Sequence, residues 1–268
     1  MIQTEQKQTV YTMLKKCSAY FSDGTDAAFA EETPAFPDIS YISDIRKVAV
    51  ENASVANNSI ENGVKNIVTI ESIAAEVKNC TACPLCSTRK NAVPGIGPQN
   101  PLVLVVGEAP GEQEDLRGEP FVGAAGQLLD KMLLAISLSR TANCFIANTI
   151  KCRPPNNRDP LPQEENACAH FLENQIAILH PSAILAVGRI AAQKLLNTTD
   201  GINRLRGKFF DYSGIPFMAT FHPSAVLRDT RPEQQTKKDV WRDLQIFRER
   251  LRQIAPDYET AFTGGSQK

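Results

Sequence analysis

A chain of 268 residues with 42% hydrophobic side chains is long enough to bury one sizeable core and leave residues over for a tail. No apolar run reaches the roughly 18 residues that a membrane helix needs, and Met1-Ile2-Gln3-Thr4-Glu5 lacks the basic-then-apolar order of a secretory signal, so a soluble, cytoplasmic protein is expected. The net charge of −1 hides an asymmetry: residues 1–79 hold 7 Lys/Arg against 11 Asp/Glu, a net −4, which leaves +3 on the remainder.

Residues 1–70 mix short apolar pieces with polar clusters, without repeats or sustained periodicity, and read as an extension with one or two short helices. A domain is expected over 71–255, followed by a tail over 256–268. Within it, short apolar runs at 102–106, 144–147, 183–187 and 216–221 end in turn or polar residues, and helix-like segments follow at 124–137, 163–179, 189–196 and 233–254. Such alternation predicts an α/β fold: a three-layer α/β/α sandwich around a mainly parallel four-stranded sheet, with ligands at the C-terminal ends of the strands.

Seven cysteines without an export signal are poor evidence for disulfides, so metal or cluster ligation is the better use for the spaced ones. Cys80-Thr81-Ala82-Cys83 brings two thiolates within reach of one centre, and Cys152 and Cys168 flank a Pro-rich loop able to fold back onto them. Four sulfur ligands suit iron–sulfur or zinc, and spacing does not choose between them. Cys86 forms a second, overlapping CxxC with Cys83, Cys144 begins a strand as a small buried hydrophobe, and Cys17 lies in the extension.

The strand ends carry the remaining chemistry. Gly107-Glu108-Ala109-Pro110-Gly111 is a sharp turn that lets backbone amides face a ligand, and Phe121 follows it. Asn148 ends the second strand, and His222, one of 3 histidines, follows the fourth. Taken singly, these are a strand-to-helix turn, a core aromatic, a turn former and a structural histidine. Together they make a nucleobase pocket: an Asn reads a donor–acceptor pyrimidine edge, a Phe stacks on the ring, and a His hydrogen-bonds a carbonyl oxygen. Basic residues gather at Arg204, Arg206 and Lys208 and at Arg228, Arg231, Lys237 and Lys238, a weak footprint for phosphate contact.

From about Cys80 to Leu251 the chain resembles the family-4, iron–sulfur type of uracil-DNA glycosylase. The matching segments, in the family's order, are CTACPLC (80–86), GEAPGEQED (107–115), PFVGAAGQLLD (120–130), NTIKCRPPNNRDPLPQE (148–164), Cys168, LRGK (205–208) and FHPSAVLR (221–228). The resemblance implies base-excision repair of uracil-containing DNA, single- or double-stranded, and a 4Fe-4S cluster on Cys80, Cys83, Cys152 and Cys168 with Cys86 outside it. It implies a uracil pocket from Gly107, Glu108, Ala109, Phe121, Asn148 and His222, with His222 stabilising the leaving uracil anion. The superfamily's water-orienting carboxylate falls at Ala109 here, so Glu108 is the first candidate for that role and Glu114 the second. Val226 or Leu227 is placed to fill the vacated base stack, and Arg228 and Arg206 to hold phosphates. A non-catalytic damage-binding or cluster-bearing module, and a zinc-dependent hydrolase, are the alternatives.

Overall fold

The computed structural model describes residues 68–262. Its centre is a five-stranded sheet in the order β2-β1-β3-β5-β4, made of β1 (Val103–Gly107), β2 (Cys144–Asn148), β3 (Ala183–Val187), β4 (Phe209–Tyr212) and β5 (Ile215–Thr220). Strands β1, β2, β3 and β5 are mutually parallel, whereas β4 pairs antiparallel with β5. The helices are α1 (Ile70–Asn79), α2 (Glu112–Arg117), α3 (Ala124–Leu134), α4 (Pro162–Leu179), α5 (Arg189–Leu196), α6 (Ile202–Leu205), α7 (Pro223–Arg228), α8 (Gln235–Ile254) and α9 (Tyr258–Ala261).

Because successive strand side chains point to opposite faces, uninterrupted apolar strands need cover on both. On one face Val103, Val105, Ile146, Leu185 and Met218 pack under Leu129, Met132 and Leu133 of α3 and Val240, Leu244 and Phe247 of α8. On the other, Leu104, Val106, Phe145, Ile184 and Phe217 meet Leu172 and Ile176 of α4 and Ala191 and Ala192 of α5. A third cluster joins Ile73 and Val77 of α1 to Leu85, Ile150, Cys152, Cys168 and Phe171. The expected three-layer α/β/α architecture is therefore present.

The sheet has one strand more than the four expected. Phe209–Tyr212 is half-exposed, so it lacks the apolar run that marks the buried strands, and it turns back into β5 through Ser213 (φ 51°) and Gly214 (φ 85°). Two consecutive left-handed residues are what a tight two-residue hairpin requires, and Asp211 Oδ1 supports this one by accepting from Gly214 N at 3.0 Å. The helix expected over 124–137 stops at Leu134, since Ser137 turns left-handed at φ 58°. The chain past residue 255 continues as a packed turn, with the Tyr258 hydroxyl donating to Ile136 O at 3.1 Å.

Among the described residues, no helix is long and apolar enough to cross a membrane. The reading of residues 1–70 lies almost wholly outside the described residues, as does Cys17.

Candidate active site and cysteine centre

The four parallel strands all deliver their C-terminal ends to one side, and there a cleft of about 660 Å³ opens. Glu108 and Ala109 after β1, Phe121, Asn148 at the end of β2 and His222 after β5 all line it. Gly107 lies just beneath: a Cβ there would come within 2.5 Å of both Asn148 Oδ1 and the Phe121 ring. Its missing side chain is what lets the amide and the aromatic ring converge on the backbone.

Phe121 adopts φ 53°, a left-handed backbone that bulky residues rarely take. The surroundings enforce it. Arg140 donates to the carbonyls of Pro120 and Phe121 at 2.8 Å each and is held by Asp130 at 2.8 Å. Gly126 of α3 is needed as well, because a Cβ there would sit 1.9 Å from Phe121 O. The ring ends up 5.6 Å from that of His222, centroid to centroid.

His222 caps the N-terminus of α7, and its Nδ1 accepts from Ser224 N at 3.1 Å and contacts Ser224 Oγ at 2.8 Å. An amide N–H only donates, so Nδ1 carries the lone pair, and this hydrogen bond assigns the proton of the neutral ring to Nε2. Burial pushes the His222 pKa down to about 4, with Arg228 adding to the effect, so the ring is neutral at pH 7. Glu108 is shifted the other way: burial, reinforced by Asp159, raises its pKa to about 7 against the pull of Arg189. Asn148 is 1% exposed, and its Oδ1 has no hydrogen-bond partner. A buried acceptor left unpaired is costly in a native protein and marks a place where a ligand donor fits.

The cysteines form a second centre behind the first. Cys80, Cys83, Cys152 and Cys168 line one small cavity together with Cys86, Val77, Ala82, Arg89, Lys151 and Phe171. Arg89 Nη1 donates to Cys152 Sγ at 3.0 Å, and Lys151 N donates to Cys168 Sγ at 3.3 Å. Arg158 brings the Pro-rich loop down onto α4 through a two-pronged pair with the buried Glu164 at 2.7 and 2.9 Å, one turn ahead of Cys168. Burial raises the Cys168 pKa to about 11 and pushes Cys83 and Cys152 upward as well. Burial thus disfavours the free thiolates, and a bound cation would offset that cost, which suits an all-sulfur metal centre. Among the described residues, no three His, Cys, Asp or Glu side chains are gathered tightly enough to grip a single ion.

The model of the Uracil DNA glycosylase superfamily matches residues 94–245. A type-4 uracil-DNA glycosylase of Archaeoglobus fulgidus is 41% identical over 179 residues, which cover 64% of this chain and 89% of that protein. The type-4 enzyme of Pyrobaculum aerophilum is 44% identical over 172 residues, 61% of this chain and 87% of its own. The chain belongs to the type-4 uracil-DNA glycosylases.

Several roles read from the glycosylase's sequence change in three dimensions. Glu114 has both oxygens occupied, accepting from Gly111 N at 3.1 Å, Val122 N at 2.8 Å and Gly123 N at 2.9 Å. It ties the strand-end turn to the Phe121 loop with three of its roughly four lone-pair sites, so the geometry gives it a loop-holding role even though it also lines the cleft. Arg206 is likewise not a free phosphate ligand: it grips Asp243 at 2.8 and 3.0 Å and the Asp239 carbonyl at 2.6 Å, and lies over the Phe221 ring. Arg204 pairs with Asp200, and Arg231 pairs with Asp229. Val226 is buried in the core, whereas Leu227 is 50% exposed and Arg228 is exposed at the cleft. Ser224 and Gly126 lie in segments that match the family but carry no assigned role there, and Arg140 lies outside every matching segment; of these, only the spacing of Ser224 two residues after His222 offered a signal.

Proposed function

We infer that this glycosylase acts in DNA repair by hydrolysing the bond between uracil and deoxyribose in DNA, releasing uracil and leaving an abasic site. The observation that carries the reading is the orphaned Asn148 Oδ1, buried beside Phe121 and His222 in one cleft. Uracil offers an N3–H donor next to an O4 acceptor. The Asn148 amide, with Oδ1 toward N3–H and Nδ2 toward O4, satisfies that edge and opposes cytosine, whose N3 accepts and whose N4 donates. Phe121 stacks on the flipped base.

As the N1–C1′ bond breaks, its electron pair moves to uracil and negative charge gathers on O2, while C1′ becomes cationic. Neutral His222 donates Nε2–H to O2. A neutral donor suits this step, because it stabilises the anion in a water-poor site without needing a proton from solvent. Water then adds to C1′ and gives up a proton. Glu108 holds that water and accepts the proton, since Ala109 carries no carboxylate and Glu114 is committed to three backbone amides of the neighbouring loops. Leu227 fills the stack that uracil leaves, and Arg228 holds a flanking phosphate.

Cys80, Cys83, Cys152 and Cys168 fit a 4Fe-4S cluster. The set is all sulfur, sulfur-directed N–H donors come from Arg89 and the Lys151 amide, and Phe171 and Val77 wall it off. When bound, such a cluster supplies a cross-link between α1, the loop after β2 and α4. Cys86 stands beside the four as a spare thiol.

The test is single-turnover release of uracil and of cytosine from matched oligonucleotides. Asn148→Asp should lower uracil release steeply and raise cytosine release relative to it, because the carboxylate accepts from the cytosine amino group but donates only when protonated. Phe121→Ala should slow release by about 5- to 150-fold, the equivalent of one lost base–aromatic stack, without changing the preferred base. Wild-type rate and selectivity in Asn148→Asp would sink the pocket assignment.

A further inference from the structure

Lys151 is 1% exposed, yet among the described residues no carboxylate is paired with it. Its ammonium donates to Asn148 O at 2.8 Å and to Gln175 Oε1 at 2.7 Å. Gln175, itself 1% exposed, is fixed in turn by donating from Nε2 to Pro94 O at 2.8 Å. The Lys151 backbone is pinned on both sides: its N–H donates to Cys168 Sγ at 3.3 Å, and its carbonyl accepts from Val93 N at 2.7 Å. The side chain also lines the cysteine cavity.

A buried ammonium with only neutral acceptors is expensive, and a methionine would fill the same space without desolvating a charge. If stability were the whole role, Lys would be a poor choice. The opposite charge within reach is that of the cysteines whose cavity Lys151 lines, Cys168 among them, which the Lys151 amide already contacts. The acceptor it grips most usefully is the carbonyl of Asn148, the residue whose amide reads the base. Because the Asn148 Oδ1 has no partner inside the protein, the aim of that amide depends on its backbone.

We propose that Lys151 is a positioning residue that couples the two centres: the negative charge of the metal-bound thiolates compensates its ammonium, and the ammonium fixes the backbone that aims the Asn148 amide at uracil. The inference rests on the uracil-excision reading above. Coupling of this kind is reciprocal, so filling the base pocket must also perturb the sulfur centre.

The experiment uses the full chain with its metal centre loaded, as wild type, Lys151→Met and Gln175→Leu. Three quantities are measured for each: inhibition of excision by free uracil, affinity for abasic duplex DNA, and visible circular dichroism of the cluster during a uracil titration. Lys151→Met should weaken inhibition by uracil by about 10- to 100-fold, the usual effect of losing a partner that orients a ligating or reading group, while abasic-DNA affinity stays at the wild-type value. Uracil should change the cluster's dichroism in wild type and not in Lys151→Met. Gln175→Leu removes one acceptor and keeps the ammonium, so it should move both readouts in the same direction by less, and it serves alone if Lys151→Met does not fold. Unchanged uracil inhibition in the variants, equal weakening of uracil and abasic DNA, or a cluster in wild type that is blind to uracil would each overturn the proposal. A wild-type protein that releases no uracil would instead overturn the excision reading.

Discussion

His222 and Glu108 face the same cleft with pKa values displaced in opposite directions, to about 4 and about 7. If Glu108 accepts the water proton, only its ionised form works, so the single-turnover rate should rise as pH increases through about 7 and level off above it. Glu108→Gln should abolish that limb and leave a slow, flat profile; a limb that survives the substitution would assign it to another group. The same shifts act on stability with opposite signs. Between pH 4 and 6.5 the unfolded chain protonates the histidine more readily than the folded one, so the His222 contribution is lost as pH falls. Between pH 4.5 and 7 the folded chain binds the Glu108 proton more readily, so that contribution is present below 4.5 and lost as pH rises through 7. Glu108→Gln should therefore make stability climb more steeply from pH 5 to 6.5, as read from urea midpoints.

The segment running from α6 into β4 and the helix α7 each carry an arginine that looked alike as a phosphate ligand, and packing separates them. Arg206 closes the α6 end onto α8 through Asp243, which also accepts from Thr220 Oγ1 at 2.7 Å at the end of β5. Removing Arg206 leaves a carboxylate 1% exposed without its counter-charge, so Arg206→Met should lower stability by about 3–5 kcal/mol. Its DNA affinity, measured well below the melting temperature, should keep the wild-type salt dependence. Arg228, exposed at the cleft, should behave in the opposite way: Arg228→Ala should leave stability nearly unchanged and reduce the slope of log affinity against log salt by about 1. An Arg206 variant with a reduced salt slope would return that residue to the DNA interface.

Across the molecule, the cysteine centre joins three separate pieces of chain: α1 with the turn after it, the loop after β2, and α4. Protein purified fresh should be brown, and substitution of Cys80, Cys83, Cys152 or Cys168 by Ser should bleach it while lowering the melting temperature, since the cross-link is lost with the colour. Cys144→Ser and Cys86→Ser should stay brown; colourless protein holding zinc, or bleaching by Cys86→Ser alone, would overturn the ligand set. Removal of residues 1–67 should preserve excision, because the superfamily match begins at residue 94 and the first described helix already supplies its own cap, Thr69 and Ser72 bonding reciprocally at 2.9 and 3.1 Å. A cut that removes Ile73 or Val77 should not be tolerated, since both are fully buried against the cysteine cluster. A shortened chain from residue 68 that is folded and brown but inactive would show that the removed segment takes part in excision.

Period and spacing in the sequence were enough to indicate the four parallel strands, four of the helices and that the spaced cysteines share one site, although five of them, Cys86 included, line its cavity. Continuous apolar runs admit few solutions other than a sheet covered on both faces, and CxxC is a local geometry. The strand-end residues were legible for the same reason, because parallel strands carry Gly107, Asn148 and His222 to one edge whatever the details of packing. The edge strand β4 was not, since its half-exposed pattern is shared with loops and its hairpin depends on two left-handed residues that Ser213-Gly214 signals weakly. Nor did the sequence distinguish Arg206 from Arg228, and it ranked Glu108 ahead of Glu114 without showing which partners each would meet. Each pair has the same side-chain chemistry, and only tertiary structure decides which member meets a buried partner and which is left to meet a ligand. The neutral Nε2–H form of His222, the strained Phe121 backbone and the buried Lys151 belong to that second class, because hydrogen-bond partners and desolvation come from residues brought together by folding rather than from neighbours in the chain.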